Sequence, residues 1–452
     1  MDTQGESVTG KTVRRRSWVR RALTTAGVLF LLLVLFVIFW LRGALYDHFV
    51  RFPREEAAWR AIRAERQPVT DTAGWSEYRG ILHSHSHFSH DSEVPFAKIL
   101  EVLHAAKLDY ICMSDHCVDG RADFSLQWRG FHDGKLFVPG FEMRDGFMPF
   151  GVAAGVVLNN RTDDAVLARQ IIDNGGVLFF AHPEEPRDWA LPELTGMEIY
   201  NLHTDFKRLR GGLRAMLPEV LLNLNRYPDE IYHKMFRRPV EFLQHWDELN
   251  RTRHITGIAA NDCHQNVGFR AFYTTNGTIR IEDTSPRTLK VIKLNWFTRA
   301  IARILFGPLD PGRRLFHVQL DPYERSARFV NTHVLAHELN EWNLLDALRA
   351  GRVFIGFDMI ADSSGFRWFA RDGSTNTVMG ESTAFSNGTH LHALSPLPCR
   401  FTIIKNGKQV EQAEGRALDW IPTGPGKYRV EAELKILGEW TPWVYANPIQ
   451  LK

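Results

Sequence analysis

Cysteine is scarce in this sequence: Cys112, Cys117, Cys263 and Cys399 are the only four in 452 residues. So few thiols exclude a disulfide framework as the source of stability. Charge of either sign is nearly balanced, with 55 Lys and Arg against 52 Asp and Glu. The +3 that remains gives no specific sign of nucleic-acid or other polyanion binding. Long apolar runs are rare too. Only ALTTAGVLFLLLVLFVIFWL, residues 22–41, is long and apolar enough to cross a bilayer, which takes about 20 residues. No P-loop pattern and no Ser-His-Asp arrangement stands out to support nucleotide or serine-hydrolase chemistry.

What is present begins with that apolar run. Lys11, Arg14, Arg15, Arg16, Arg20 and Arg21 precede it, which predicts a cytoplasmic N-terminus and a body on the other side, periplasmic or extracellular. A cleaved signal peptide has a shorter apolar region, about 7–15 residues, and a small-x-small site. WLRGALYDH offers no clean one, so the run is read as an uncleaved anchor. The whole sequence is 44% hydrophobic, and its 452 residues support two or three domains. We expect a basic tail over 1–21, the anchor over 22–41, a helical stalk over 42–74, a folded βα unit over 75–297, a connecting region over 298–371 and a small β-sandwich over 372–452. Within the connecting region NWFTRAIARILF is basic and amphipathic. It is read as packing between domains, with lipid contact as the alternative.

From about Trp75 the pattern alternates between helix and strand. VPFAKILEVLHAAK has apolar residues on one helical face, and DYICMS follows as a short buried strand ending at Asp115-His116. AVLARQIIDNGG repeats the theme, with Asn174-Gly175 as its stop, then VLFFA as a strand with His182 just beyond it. HITGIAA ends at Asn261-Asp262-Cys263-His264. Such alternation predicts parallel βα units, whose strand ends can gather distant polar residues into one cleft. Near the C-terminus, Asn406-Gly407 between two strand-like runs is a hairpin signal.

The segment ILHSHSHFSHDS carries His83, His85, His87 and His90. On an extended strand His83 and His85 point to one face, which suits two imidazoles on one metal ion. An isolated pair of this kind also occurs in exposed polar loops. Further polar residues at strand ends favour the metal. Cys112 and Cys117 flank one of these, His116, and Cys263 lies between two more. They are read as buried thiols, a thiolate ligand or a disulfide being the alternative.

Taken in order, these residues resemble the PHP (polymerase and histidinol phosphatase) domain family of metal-dependent phosphoesterases. HSHSHFSHDSEVP is similar to its opening HxHTxxSDG motif and the proline after it; MSDH is similar to its TDH, and VPGFEMRDG to its PG-x-E. GGVLFFAHPEEP, MEIYN and ITGIAANDCH resemble three later motifs, and the match covers roughly residues 75–268. The resemblance implies a distorted seven-stranded (β/α) barrel with two or three divalent ions, Zn, Mn or Fe. It implies His83, His85, His90, His116, Glu142, His182, Asp262 and His264 as metal ligands, with Asp91 the alternative to His90. Glu142 is the expected bridging carboxylate and Asp115 an orienting one, and both are assigned a catalytic part. One departure is clear: Phe147 and Met148 stand where the family commonly has a further histidine. His203, His87 or Asp145 are candidates to replace it.

The expected function is a membrane-anchored phosphoesterase that hydrolyses a small phosphorylated substrate through a metal-bound hydroxide. Lys207, Arg208, Arg210 and Arg214 form a basic cluster that can clamp phosphate or merely face solvent. The alternatives are an impaired metal-binding module and a hydrolase of a non-phosphate bond.

Overall fold

The structure, a computed structural model, describes residues 9–208, 212–284 and 287–452. It is a mixed α/β body with a sheet-rich C-terminal part and a long apolar N-terminal helix. Helix α1 (Thr9–Tyr46) contains the apolar run and passes through a π turn, Asp47–Arg51, into α2 (Phe52–Ala64). It is one helix long and apolar enough to span a membrane. The segment expected as a stalk is not free. Phe52, Glu55 and Trp59 of α2 are buried against the body, and Lys234 bridges Asp47 and Glu219 at 2.6 Å each.

Seven strands position the site: β1 (Ser76–Ser84), β2 (Tyr110–Cys112), β3 (Lys135–Val138), β4 (Phe147–Phe150), β5 (Val177–Phe180), β6 (Gly196–Asn201) and β7 (Thr256–Cys263). They pair in the order β3-β2-β1-β7-β6-β5-β4, all parallel except β4 against β5. An isolated bridge joins Gly140, just past β3, to Phe150 at the end of β4. Helices fill the crossovers. In α3 (Phe96–Ala105) Phe96, Ile99, Val102 and Leu103 are buried, one stripe at helical spacing. In α4 (Asp164–Asp173) the Asp163 carboxylate caps the Ala165 and Val166 amides, and Gly175 ends the turn with φ +82°. Before β7 come α5 (Leu202–Lys207), α6 (Gly212–Leu222), α7 (Pro228–Met235) and α8 (Val240–Asn250).

After β7 the chain forms an antiparallel sheet of β8 (Gly268–Tyr273), β9 (Thr278–Asp283), β10 (Thr288–Lys293) and β11 (Arg314–Gln319), with β10 and β11 at its edges. Helix α9 (Trp296–Phe306) lies between the last two in sequence. The region read as a connection then supplies β12 (Asn331–Ala336) and β13 (Val353–Gly356). Strand β12 pairs antiparallel with the first half of β1, Ser76↔Ala336 to Gly80↔Thr332. Strand β13 carries the ladder on to Glu439–Ala446 of the C-terminal sheet. The site-bearing strands and the C-terminal strands are therefore one hydrogen-bonded sheet, and one apolar cluster runs from Phe52 to Leu451.

Candidate metal centre

The strand ends bring most of the expected residues together, and they do so through backbone that ordinary residues avoid. His83, His182 and Asp262 have φ of +62°, +49° and +49°. For residues with a Cβ this costs of order 1–3 kcal/mol each and persists only where surrounding structure enforces it. The β1–β7 register shifts between Leu82↔Ala260 and Ser84↔Cys263, a bulge that re-aims both strand ends. His83 and His85 are fully buried, with ring centroids 5.2 Å apart.

Two carboxylates sit between the imidazoles. Glu142 Oε2 is 3.3 Å from His83 Nε2, 3.6 Å from His85 Nε2 and 3.5 Å from His116 Nδ1, and its Oε1 is 3.2 Å from His182 Nε2. Asp262 Oδ1 lies 3.3 Å from His83 Nε2, 3.4 Å from His85 Nε2 and 3.1 Å from His264 Nδ1. Its Oδ2 is 3.5 Å from His182 Nε2. Four sets of donor atoms each fall within 4.8 Å of one another: His85, Asp91, His116 and His264; His83, His85 and Glu142; His83, His182 and Asp262; His203, Asp262 and His264.

Asp91 rather than His90 joins these sets. Ser89 turns inward, accepting from the His116 amide and donating to Asp115, and in the turn that follows His90 is exposed while Asp91 Oδ2 approaches His264 Nε2 at 3.2 Å. His90 only stacks near His116, with centroids 4.8 Å apart. His203 joins Asp262 and His264 from the first turn of α5, whereas His87 is exposed beside Phe88. Asp145 is exposed and ion-paired to Arg144 at 2.7 Å. Phe147 and Met148 are buried on β4, cross-strand from Phe180 and Phe179, so that position belongs to the core. All four cysteines are free, and none joins a donor set. Burial raises the Cys112 and Cys263 thiols and takes Cys117 to about 12, which disfavours thiolate.

Behind the donors lies a layer of orienting groups. Buried Asp115 accepts from the Ser86 amide and hydroxyl, from Ser89 Oγ and from Gln127 Nε2, and makes no contact with the donor sets' free nitrogens. It works through Ser89, whose Oγ accepts from His85 Nδ1 at 2.9 Å and leaves His85 Nε2 as the lone-pair nitrogen. Glu198, a buried carboxylate within MEIYN for which the sequence suggested no role, does the same for His83. It accepts from His83 Nδ1 at 2.5 Å, from the His182 amide at 2.9 Å and from Asn201 at 3.0 Å.

Electrostatics follow from this crowding. Burial, then the neighbouring His264 and His116 charges, push His85 down to about 3, so it is neutral. Burial opposes charge on His182 and His264 as well. Glu142 and Glu184 nevertheless raise His182 to about 10, and Asp262 with Asp91 raises His264 to about 10. Burial favours the neutral forms of Glu142 and Asp262, but His83 and the other imidazoles hold both well below the usual carboxylate range. His85 Nε2, His264 Nε2, Asp262 Oδ1 and Asp91 Oδ1 are buried without a hydrogen-bond partner. Unpartnered imidazole nitrogens and carboxylate oxygens of that kind, buried side by side, fit binding of divalent metal ions.

The cluster opens into a cleft of about 410 Å³ lined by Asp91, His116, Glu142, His182, Asp262 and His264. Arg144, Arg187 and Lys207 also line it. Arg144 is paired with Asp145 and Asp164, and Arg187 with Glu185. Lys207 is exposed with no carboxylate partner among the described residues. Of the rest of the basic cluster, Arg208 pairs with Glu241 at 3.7 Å, while Arg210 and the side chain of Arg214 lie outside the described residues.

No family model matches this chain, and no curated protein does. Among solved structures it is similar to the crystal structure of a two-domain protein from Bacteroides vulgatus, described as containing a predicted PHP-like metal-dependent phosphoesterase. The superposition has a TM-score of 0.36 at 13% identity, over 84% of this chain and 98% of that one. The reading of the site therefore rests on its own residues.

Proposed function

We propose that this chain is a membrane-anchored, metal-dependent phosphoesterase of PHP type, its seven site-bearing strands forming the distorted barrel. The observation that carries the reading is the placement of Glu142 and Asp262, each facing His83, His85 and His182 and so able to bridge neighbouring cations. Divalent cations held there supply Lewis acidity toward a phosphoryl oxygen and lower the pKa of a water. The chain's own residues do the rest. Asp115 and Glu198 fix the ligand tautomers, Glu142 and Asp262 would be the carboxylates shared between cations, and Lys207, which has no carboxylate partner among the described residues, is available at the cleft for a phosphate group. The N-terminus is cytoplasmic and the body lies outside, on the charge of the flank before residue 22.

A panel of phosphate monoesters, diesters and amides, assayed with Zn, Mn or Fe added, tests the reading. Turnover confined to phosphate esters supports it, and turnover of amides alone would replace it. A second reading, an impaired recognition module, draws on Phe147 and Met148 occupying the missing histidine's position. It predicts metal binding without turnover of any ester.

A further inference from the structure

Helix α9 has two apolar sides, and only one is used. Ala302 packs on Ala271, Tyr273 and Ile279, with Phe306 beside it. The other side carries Trp296, Ile304 and Leu305, which are 84%, 83% and 68% exposed, together with exposed Phe297 and Ile301. Packing between domains does not account for them. On edge strand β10, Ile292 is exposed on the face that α9 covers, opposite Ile279, while exposed Leu289 and Val291 point to the other face. The helix is closed at both ends: Asn295 Oδ1 accepts from the Thr298 amide at 2.8 Å, Thr298 Oγ accepts from the Asn295 amide at 2.9 Å, and Gly307 follows the last turn at φ +76°.

Charge indicates what covers this surface. Between Arg287 and Arg314 the chain has seven basic residues and one acidic, Asp310. Lys290, Lys293, Arg299 and Arg303 are exposed and engage no carboxylate among the described residues. A rigid helix with bulky apolar residues outward, flanked by unpaired cations, is complementary to an anionic lipid surface. The body is also held close to the anchor. The apolar run ends at Leu41, and Ala44 is already 2% exposed, its carbonyl accepting from Asn223 at 3.0 Å. At 1.5 Å per residue that leaves roughly 5 Å of helix between them. Tyr46 and Phe49 are exposed there, as aromatic residues at a membrane boundary are. The α9 sheet is braced on the same elements. After β11, the Leu320 carbonyl accepts from Tyr232 of α7, and His233 and Lys234 of α7 pair with Glu55 and Asp47 beside the anchor.

We propose that α9 forms a second membrane contact, lying in the interfacial layer of an anionic leaflet with Trp296, Phe297, Ile304 and Leu305 among the acyl chains. This rests on the reading of residues 22–41 as an anchor. It would hold the body in one orientation over the bilayer rather than leave it to rotate about α1.

The test is nitroxide depth measurement on the full chain in vesicles of phosphatidylcholine with a minor fraction of phosphatidylglycerol. Labels go at Ile304→Cys and, separately, Leu32→Cys, each with Cys117→Ser, since the other three cysteines are buried. The expected result at position 304 is preferential access of oxygen over a water-soluble nickel chelate, at a depth of about 5–10 Å. Arg299→Glu with Arg303→Glu should make it shallower. Free access of the chelate at 304 overturns the proposal. So does exclusion of both reagents with spin–spin broadening that disappears on dilution with unlabelled chain, which would identify a second copy as the occupant. Position 32 reports the anchor separately: hydrocarbon at 32 with water at 304 sinks only the α9 contact.

Discussion

His85 shows how much of this site depends on a group that touches no substrate. Its Nε2 can serve as a ligand because Ser89 Oγ accepts a hydrogen bond from Nδ1–H, keeping the proton on that nitrogen, and Asp115 holds Ser89. Ser89→Ala is expected to weaken metal affinity about 10–100-fold with the fold intact. Competition with a chromogenic chelator measures this, and an unchanged affinity would remove Ser89 and Asp115 from the account. His182 and His264, both near 10, must lose protons when a cation takes their lone pairs. Apparent metal affinity should therefore rise with pH between 6 and 8. Titration calorimetry in buffers of different ionisation enthalpy should show proton release, and a pH-independent, proton-neutral titration would contradict the assignment. At this scale HxH, SDH, PGFE, AHP and NDCH were legible because each donor lies at or just past the end of a strand-like run. Asp91 was ambiguous because adjacent polar residues in a turn give no periodicity to choose between them. Glu198 was missed although it had a signal, a lone carboxylate inside the buried run Gly196–Asn201.

At the scale of elements, the joint between β1 and β12 holds a buried charge network. His333 on β12 contacts Glu77 of β1 at 2.8 Å and Asp358 at 2.9 Å. Burial opposes its charge, but Asp358 and Glu77 raise it to about 9. A raised histidine contributes stability that is complete below its ordinary value of 6.5 and is lost as pH rises through about 9. The Tm difference between the wild type and His333→Ala should accordingly shrink from pH 6.5 to 9. A difference that grows over this range would reverse the assigned sign. At neutral pH or below, the substitution leaves two buried carboxylates less compensated, a loss of about 3–5 kcal/mol for such pairs. The joint could not be read from the sequence, because its partners lie some 250 positions apart and β12 shows no motif. The hairpin at Asn406-Gly407 could be, since both residues take positive φ, +50° and +80°, as a two-residue turn requires.

For the whole molecule, helix α1 is continuous with the folded body. Lys234 ties Asp47 to Glu219, and α2 is seated on the same core that reaches Leu451. Limited proteolysis of the full chain should leave residues 42–64 uncut, and Lys234→Ala should open a site near Asp47. Ready cleavage of the wild type there would mean a stalk that stands free of the body. The contact with the body was not legible in the sequence, because Arg, Glu and Ala suit an exposed helix equally well, and the burial of Phe52 and Trp59 depends on partners far along the chain. The central claim is the metal cluster. Its most direct test is elemental analysis of the full chain, purified in detergent without chelators. The account predicts two or three Zn, Mn or Fe ions per chain, fewer in His83→Ala and Asp262→Ala. A folded protein that holds none, and takes up none when all three metals are supplied, would contradict it.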